Sequence, residues 1–198
     1  MVKIGRILAA GLVILGCGLM ILTFLPVEYT ESVIQLKGNL EGFPASPLKD
    51  RQVKIRLPLE LVFGSPVVVE ITLLPEQISG EPQPAEVKFV EGRLDLPDVD
   101  IFPATTIQAP YLPGKMVSYR WLVTANESAP VAGRVWLSLD MSSAFGEDTM
   151  TPVLARSIDL TVRTFLGLSS TTARQLGEGM IGSGLAFTCL SFLRRKRK

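Results

Sequence analysis

Gln52-Val53-Lys54-Ile55-Arg56-Leu57-Pro58-Leu59-Glu60-Leu61-Val62-Phe63 runs into Gly64-Ser65-Pro66, after which Val67, Val69, Ile71 and Leu73 continue the pattern. Apolar side chains fall on every second residue in both runs. A period of two puts them on one face of an extended strand. Gly64-Ser65-Pro66 has the composition of a turn, so the two runs read as a hairpin with one buried face. Pro58 cannot donate to a ladder, which marks its strand as an edge or as bulged at that point.

The same period extends outward from this hairpin. Ser32–Lys37 forms a first, less regular strand. Glu86–Val90 and Arg93–Leu96 read as two short strands around Glu91-Gly92, and Thr105–Gln108 as one short strand in the proline-rich stretch Pro97–Pro113. Val117, Tyr119, Trp121 and Val123 alternate with Ser118, Arg120, Leu122 and Thr124. A further strand covers Arg134–Met141, and a turn around Phe145-Gly146-Glu147-Asp148 leads to Ile158, Leu160 and Val162. Pro82-Gln83-Pro84 stiffens a loop. Seven to nine short strands without an intervening helix predict a mainly β fold, an antiparallel β-sandwich.

The ends have a different character. Ile7–Val27 carries no charge and as a helix would span about 31 Å, the reach of a membrane crossing. Lys3 and Arg6 precede it; Glu28 and Glu31 follow. Ile14-Leu15-Gly16-Cys17 has the form of a lipoprotein acceptor, but the apolar run continues past Cys17, which favours an uncleaved anchor over a lipid-modified or cleaved one. At the other end, Thr171–Leu193 forms a second helix of about 34 Å. Arg174 and Glu178 interrupt its start, one helical step apart, where they can pair and lean outward. Arg194, Arg195, Lys196, Arg197 and Lys198 close it. Cations at both tips and an acidic middle orient two transmembrane helices with both termini in the cytoplasm.

The sequence-level division is therefore a cytoplasmic N-terminus (1–6), transmembrane helix 1 (7–27), an extracytoplasmic β-sandwich (28–168), transmembrane helix 2 (171–193) and a basic tail (194–198). Gly11 and Gly18 lie seven apart in the first span, as do Gly177 and Gly184 in the second. Small residues let helix backbones approach, so the spans are expected to pack antiparallel or to pair with a partner's spans.

Pro113-Gly114-Lys115, then Tyr119-Arg120-Trp121, then Gly133 and Val135-Trp136-Leu137 resemble the middle of an immunoglobulin-like or fibronectin-type sandwich. Such domains follow a Pro-Gly turn with a strand carrying an inward Trp. The paired cysteines of immunoglobulin domains are absent. The chain as a whole is similar to anchored, acidic β-domains of bacterial membrane proteins. The resemblance implies an immunoglobulin-like fold and carries no activity.

Composition narrows the chemistry. The 198 residues hold 20 Lys and Arg against 19 Asp and Glu, a formal net charge of +1. The positive excess sits at the tips, so the middle is acidic and nucleic acid is not an expected partner. The chain has no histidine and two cysteines, Cys17 and Cys189, both inside the apolar end runs. The commonest general base and metal ligand is thus missing, and the middle has no thiol for zinc or disulfides. No Gly-x-Ser-x-Gly or phosphate-cradling loop occurs.

A few candidate sites remain. Asp95, Asp98 and Asp100 could offer oxygen ligands to calcium, but the EF-hand spacing is absent, a solvated acidic loop is the better reading, and no metal is assigned. Asn126-Glu127-Ser128 matches a glycosylation acceptor. Trp136 shares its strand face with Arg134, Ser138 and Asp140, while Val135, Leu137 and Leu139 point the other way. An aromatic on a polar face is a candidate partner-binding residue, with Arg134 beside it; the favoured alternative is a Trp lying under a loop or beside lipid headgroups. Trp121 belongs to the core. The function these features support is a membrane-anchored, non-catalytic ectodomain for protein–protein interaction, or an accessory subunit of a membrane assembly at the plasma membrane. Its expected partners are the bilayer and a membrane protein or a second copy, without cofactors. A ligand-binding sensor or carrier is the alternative, and an enzyme is third.

Overall fold

A computed structural model describes residues 2–36, 51–75, 86–103, 105–142 and 148–196. The Pro82-Gln83-Pro84 loop, most of the turn at Phe145-Gly146-Glu147-Asp148, and Arg197 and Lys198 lie outside the described residues. The chain opens with helix α1 (Val2–Thr23). Strands follow as β1 (Tyr29–Gln35), β2 (Gln52–Pro58), β3 (Glu60–Val62), β4 (Pro66–Leu73), β5 (Glu86–Asp95), β6 (Val99–Phe102), β7 (Thr106–Pro110), β8 (Val117–Ala125), β9 (Val131–Ser142) and β10 (Asp148–Arg163). Helix α2 (Ser170–Lys196) closes the chain. Two compact units result: a β unit of Val27–Leu61 and Pro66–Val162, and a helical unit built on α1, α2 and the short segment Val62–Ser65.

The β unit is mainly two five-stranded sheets. Sheet one has the order β1-β2-β4-β8-β6 and sheet two the order β3-β10-β9-β5-β7. The alternation seen in the sequence becomes burial: Val53, Ile55, Val69, Ile71, Trp121 and Val123 line sheet one with no exposed surface. Val90, Leu94, Val135, Leu137 and Leu139 do the same for sheet two. Each fully buried aliphatic or aromatic side chain contributes about 1.5–3 kcal/mol.

A tyrosine of β8 helps tie the sheets together. Tyr119 of β8 donates its hydroxyl to the Val90 carbonyl of β5 at 2.6 Å, and its ring stacks on Trp121 at 6.1 Å between centroids. The ring fits only because residue 92 is glycine. A Cβ there would stand 2.7 Å from Tyr119 Cγ. Gly92 is therefore not a turn between two short strands but the middle of one continuous strand, β5, whose glycine makes room for a ring from the opposite sheet. Burial, and then the charge of Glu91, push the Tyr119 phenol well above the ordinary tyrosine range.

The opening hairpin is also more complicated than its period suggests. β2 and β4 do pair, with Val53 opposite Leu73 and Ile55 opposite Ile71. Yet β2 ends at Pro58, where the alternation fails: Leu59 is 52% exposed while Pro58, Leu61 and Val62 are buried. The chain leaves sheet one there and joins sheet two as β3. Pro58 thus lies neither on an edge strand nor at a bulge; β2 has neighbours on both sides, and the proline marks the exit. β6 is a strand the sequence reading did not anticipate.

Outer-face charges fix the register of sheet one. Glu31, Arg56, Glu70 and Arg120 stand opposite one another across β1, β2, β4 and β8. Lys54 Nζ approaches Glu31 at 2.7 Å. Arg120 Nε meets Glu70 at 3.0 Å, and Ser118 donates to the same oxygen at 2.9 Å. A one-residue slip would bury this charged row, so alternating signs and the apolar face specify the same register.

In the helical unit α1 and α2 pack closely. A Cβ on Gly16 would lie 2.7 Å from the Gly177 carbonyl oxygen, and one on Gly184 would lie 2.8 Å from that of Ala9. Ala9 is buried at the same seam. Ser169 caps α2, accepting from the Thr172 amide at 3.2 Å. The chain turns sharply before it: the Phe63 carbonyl accepts from the Ser170 amide at 2.8 Å, and the Ser65 and Ser170 hydroxyls bond to each other. Gly64, at φ +72°, supplies the backbone conformation this turn requires.

The expectation of two transmembrane helices is corrected here. No helix among the described residues is long and apolar enough to cross a membrane. α1 stops at Thr23, whose hydroxyl bonds the Met20 carbonyl at 2.7 Å; Pro26 disfavours helix in the residue before it. With Lys3 and Arg6 inside its first turns, the uncharged helical length Ile7–Thr23 is about 25 Å, short of a ~30 Å hydrocarbon core. In α2, Arg174 and Glu178 pair at 3.6 Å, and the Arg174 guanidinium sits 4.6 Å from the centre of the Phe24 ring, just past the end of α1. The uncharged remainder Gly179–Leu193 spans about 22 Å. The plasma-membrane placement, with both termini cytoplasmic and the β unit outside, rested on those spans and falls with them.

Candidate protein-interaction face

The outer face of sheet two is read from the registers. β9 is its central strand, flanked by β5 and β10, and Val135, Leu137 and Leu139 turn inward. Trp136 therefore points outward, half-buried, with Arg93 of β5 opposite it on one side and Ala155 of β10 on the other. The next row holds Asp95, Arg134 and Ser157. On the opposite side of Trp136 come Gln108, Glu91, Ser138 and Pro152, and then Pro110, Phe89, Asp140 and Met150. β10 keeps this parity because a bulge between Pro152 and Leu154 restores the outward set after one extra residue.

The face is mixed in chemistry. Phe89 is 42% and Met150 43% exposed, and both share a face with Trp136. Around them, Gln108 donates to Glu91 at 2.9 Å and Arg93 pairs with Asp95 at 3.6 Å. These contacts hold charged side chains beside separate apolar points, Trp136 in one row and Phe89 and Met150 in another, with the Glu91–Ser138–Pro152 row between them. Apolar anchors within a polar rim are the composition of a protein-recognition surface.

Sheet one presents a different exterior. Its polar mesh of Glu31, Lys54, Arg56, Glu70, Ser118 and Arg120 is largely satisfied within the sheet. Burial acts to raise the Glu70 carboxyl, but hydrogen bonds from Arg120 and Ser118, with the charges of Arg120 and Arg56, hold it below its ordinary value. Among the described residues an apolar row of Val68, Leu122 and Phe102 lies at the β8–β6 edge.

The acidic candidates do not assemble. Asp95 ends β5 in sheet two, Asp100 lies in β6 of sheet one opposite Thr124, and Asp98 occupies the crossing between them at φ +59°. Among the described residues, no group of three His, Cys, Asp or Glu side chains could hold a metal ion. Asn126, Glu127 and Ser128 form an exposed turn after β8. Arg134 is exposed beside Trp136. Lys3 and Arg6 fall in the first turns of α1, and Arg194, Arg195 and Lys196 in the last turn of α2. Gly177 and Gly184 lie in the α1–α2 seam, but Gly11 and Gly18 do not: a Cβ on either meets nothing within 4 Å. Their place in the seam is taken by Ala9 and Gly16, also seven apart.

Several features escaped the sequence reading. Phe89 and Met150 were not linked to Trp136, since strand pairing alone brings them to one face. Arg51, 1% exposed, lies with its guanidinium 4.7 Å from the centre of the Tyr111 ring; nothing in the sequence marks it as buried. The Ala9–Gly16 spacing of seven is the sequence signal for the α1–α2 seam. A scan against protein-family models finds no match to this chain, and a search of curated proteins finds none either.

Proposed function

We propose that this chain is a non-catalytic protein-interaction module, an accessory or structural subunit whose β unit binds a protein partner through the outer face of sheet two. The observation that carries this reading is Trp136: a large aromatic, half-buried on the outward side of the central strand, with Arg93 opposite it and Arg134 and Glu91 in the adjacent rows. Truncating such an aromatic at an interface typically costs about 2 kcal/mol or more of binding.

Two further points favour binding over chemistry. The inner faces of both sheets are filled by side chains with no exposed surface, which argues against a ligand held between them. The chain has no histidine, and Tyr119 is committed to Val90, so neither serves as a general acid or base.

The test is affinity purification with the full chain as bait, run in parallel with Trp136→Ala and Arg134→Glu. Partners captured by the wild type should be depleted in both variants, while circular dichroism remains unchanged. Equal recovery of the same partners by all three baits removes this face from the reading.

A further inference from the structure

α1 repeats with a period of seven. Ile7, Ile14 and Ile21 recur in step, as do Leu8, Leu15 and Leu22, and the small residues Ala9 and Gly16. At about 100° per residue, Ala9, Val13, Gly16 and Met20 form one stripe. This stripe is the filled seam: Gly184 lies against Val13 and Ala9, and Gly177 against Met20 and Gly16.

Gly11 and Gly18 fall on the opposite side of the same helix, roughly 180° away. They floor a trough walled by Ile7, Ile14 and Ile21 on one side and Leu8, Leu15 and Leu22 on the other. The isoleucines are 72%, 71% and 66% exposed and the leucines 65%, 64% and 48%. Beyond the Ile21 wall, toward the filled seam, lies an open apolar groove of about 500 Å³ lined by Cys17, Met20, Ile21, Phe24, Leu25 and Ile181.

We infer that this trough is a self-association seam, occupied by α1 of a second copy of the chain. Three observations select that occupant. The trough repeats the rule of the filled seam on the same helix, small residues seven apart between large aliphatic ones, so a helix of the same design fits it. It carries no charge from Ile7 to Phe24, so a copy of itself meets it without leaving an unpaired charge. Taking roughly 180 Å² per whole side chain, the six walls expose on the order of 700 Å², close to the ~800 Å² per partner of a standard interface.

A two-fold axis makes the contact isologous. In the antiparallel arrangement Gly11 of one copy faces Gly18 of the other, and the basic first turns carrying Lys3 and Arg6 lie at opposite ends.

Sedimentation equilibrium of the full chain provides the test. The wild type should be a dimer, and Gly18→Leu should weaken dimerisation by roughly tenfold or more. That variant separates association from folding, because leucine raises helix propensity while it fills the trough. Ile14→Glu with Ile21→Glu should give a monomer of unchanged helix content, and Leu12→Glu, off the trough, should remain dimeric. A wild-type monomer, dimerisation unaffected by Gly18→Leu and by the Ile14/Ile21 pair, or uptake of the chain as a monomer by phosphatidylcholine vesicles each overturns the inference.

Discussion

The β unit and the helical unit treat their apolar residues in opposite ways. In the β unit nearly every alternating aliphatic residue faces inward, with Val53, Ile55, Val69, Leu94 and Leu137 fully covered. In the helical unit one seam is filled while Ile7, Ile14, Leu15, Phe187 and Leu193 stay more than 60% exposed. A helix that is apolar on most sides needs cover beyond one neighbour. The β unit covers its inward set within itself, whereas the pair of α1 and α2 leaves much of its apolar surface exposed.

The comparison can be broken first in the β core. Trp121→Ala should cost about 3–5 kcal/mol in chemical denaturation, because the cavity opens beside Tyr119 in a fully packed layer. Gly92→Val should be nearly as damaging, since its Cβ would clash with the Tyr119 ring in a strand that cannot move away. A loss under about 1 kcal/mol from either would mean that the core is looser than its burial implies.

In the helical unit the filled seam should be next in sensitivity. Gly16→Leu forces α1 off α2 and should cost about 1–3 kcal/mol, read as reduced helical signal on heating. Gly11→Leu, on the open side, should raise rather than lower thermal stability of the monomer at low concentration. Matching effects of the two substitutions would erase the distinction between filled and open seams.

Much of this contrast is legible in the sequence, and the limits have physical causes. The period of two in β2, β4 and β8 identifies the strands and their inward sets because burial on one face leaves a local signature. Trp136's outward aim follows from the same parity. What the sequence hides is pairing. Gly92 looks like a turn because the ring it accommodates, Tyr119, comes from the other sheet. Phe89 and Met150 join Trp136 only through registers with β9, and the departure at Pro58 depends on where sheet two offers an edge. In α1 the apolar run is plain, but its end at Thr23 depends on a side-chain bond and Pro26, and that difference decides whether the helix is long enough to cross a membrane.

Trp136→Ala should barely alter folding, by less than about 1 kcal/mol, which separates its role from that of Trp121. The smallest expected effect is on acid stability. Glu70 has a folded-state carboxyl held below its unfolded value, so its contribution is fully present above the unfolded value and is lost as pH falls through the folded one. Glu70→Gln should therefore flatten the decline of stability in the acid range while leaving neutral-pH folding two-state. An unchanged acid profile would show that the Glu31–Arg56–Glu70–Arg120 row fixes register without contributing to pH dependence.

Hydrogen–deuterium exchange of the full chain at several protein concentrations tests the division between the two units most directly. Protection of β2, β4, β8 and β9 should be independent of concentration, whereas α1 amides from Ile7 to Leu22 should lose protection on dilution as the second copy departs. Protection of α1 that does not change with dilution, or strands whose protection falls together with it, would contradict the account.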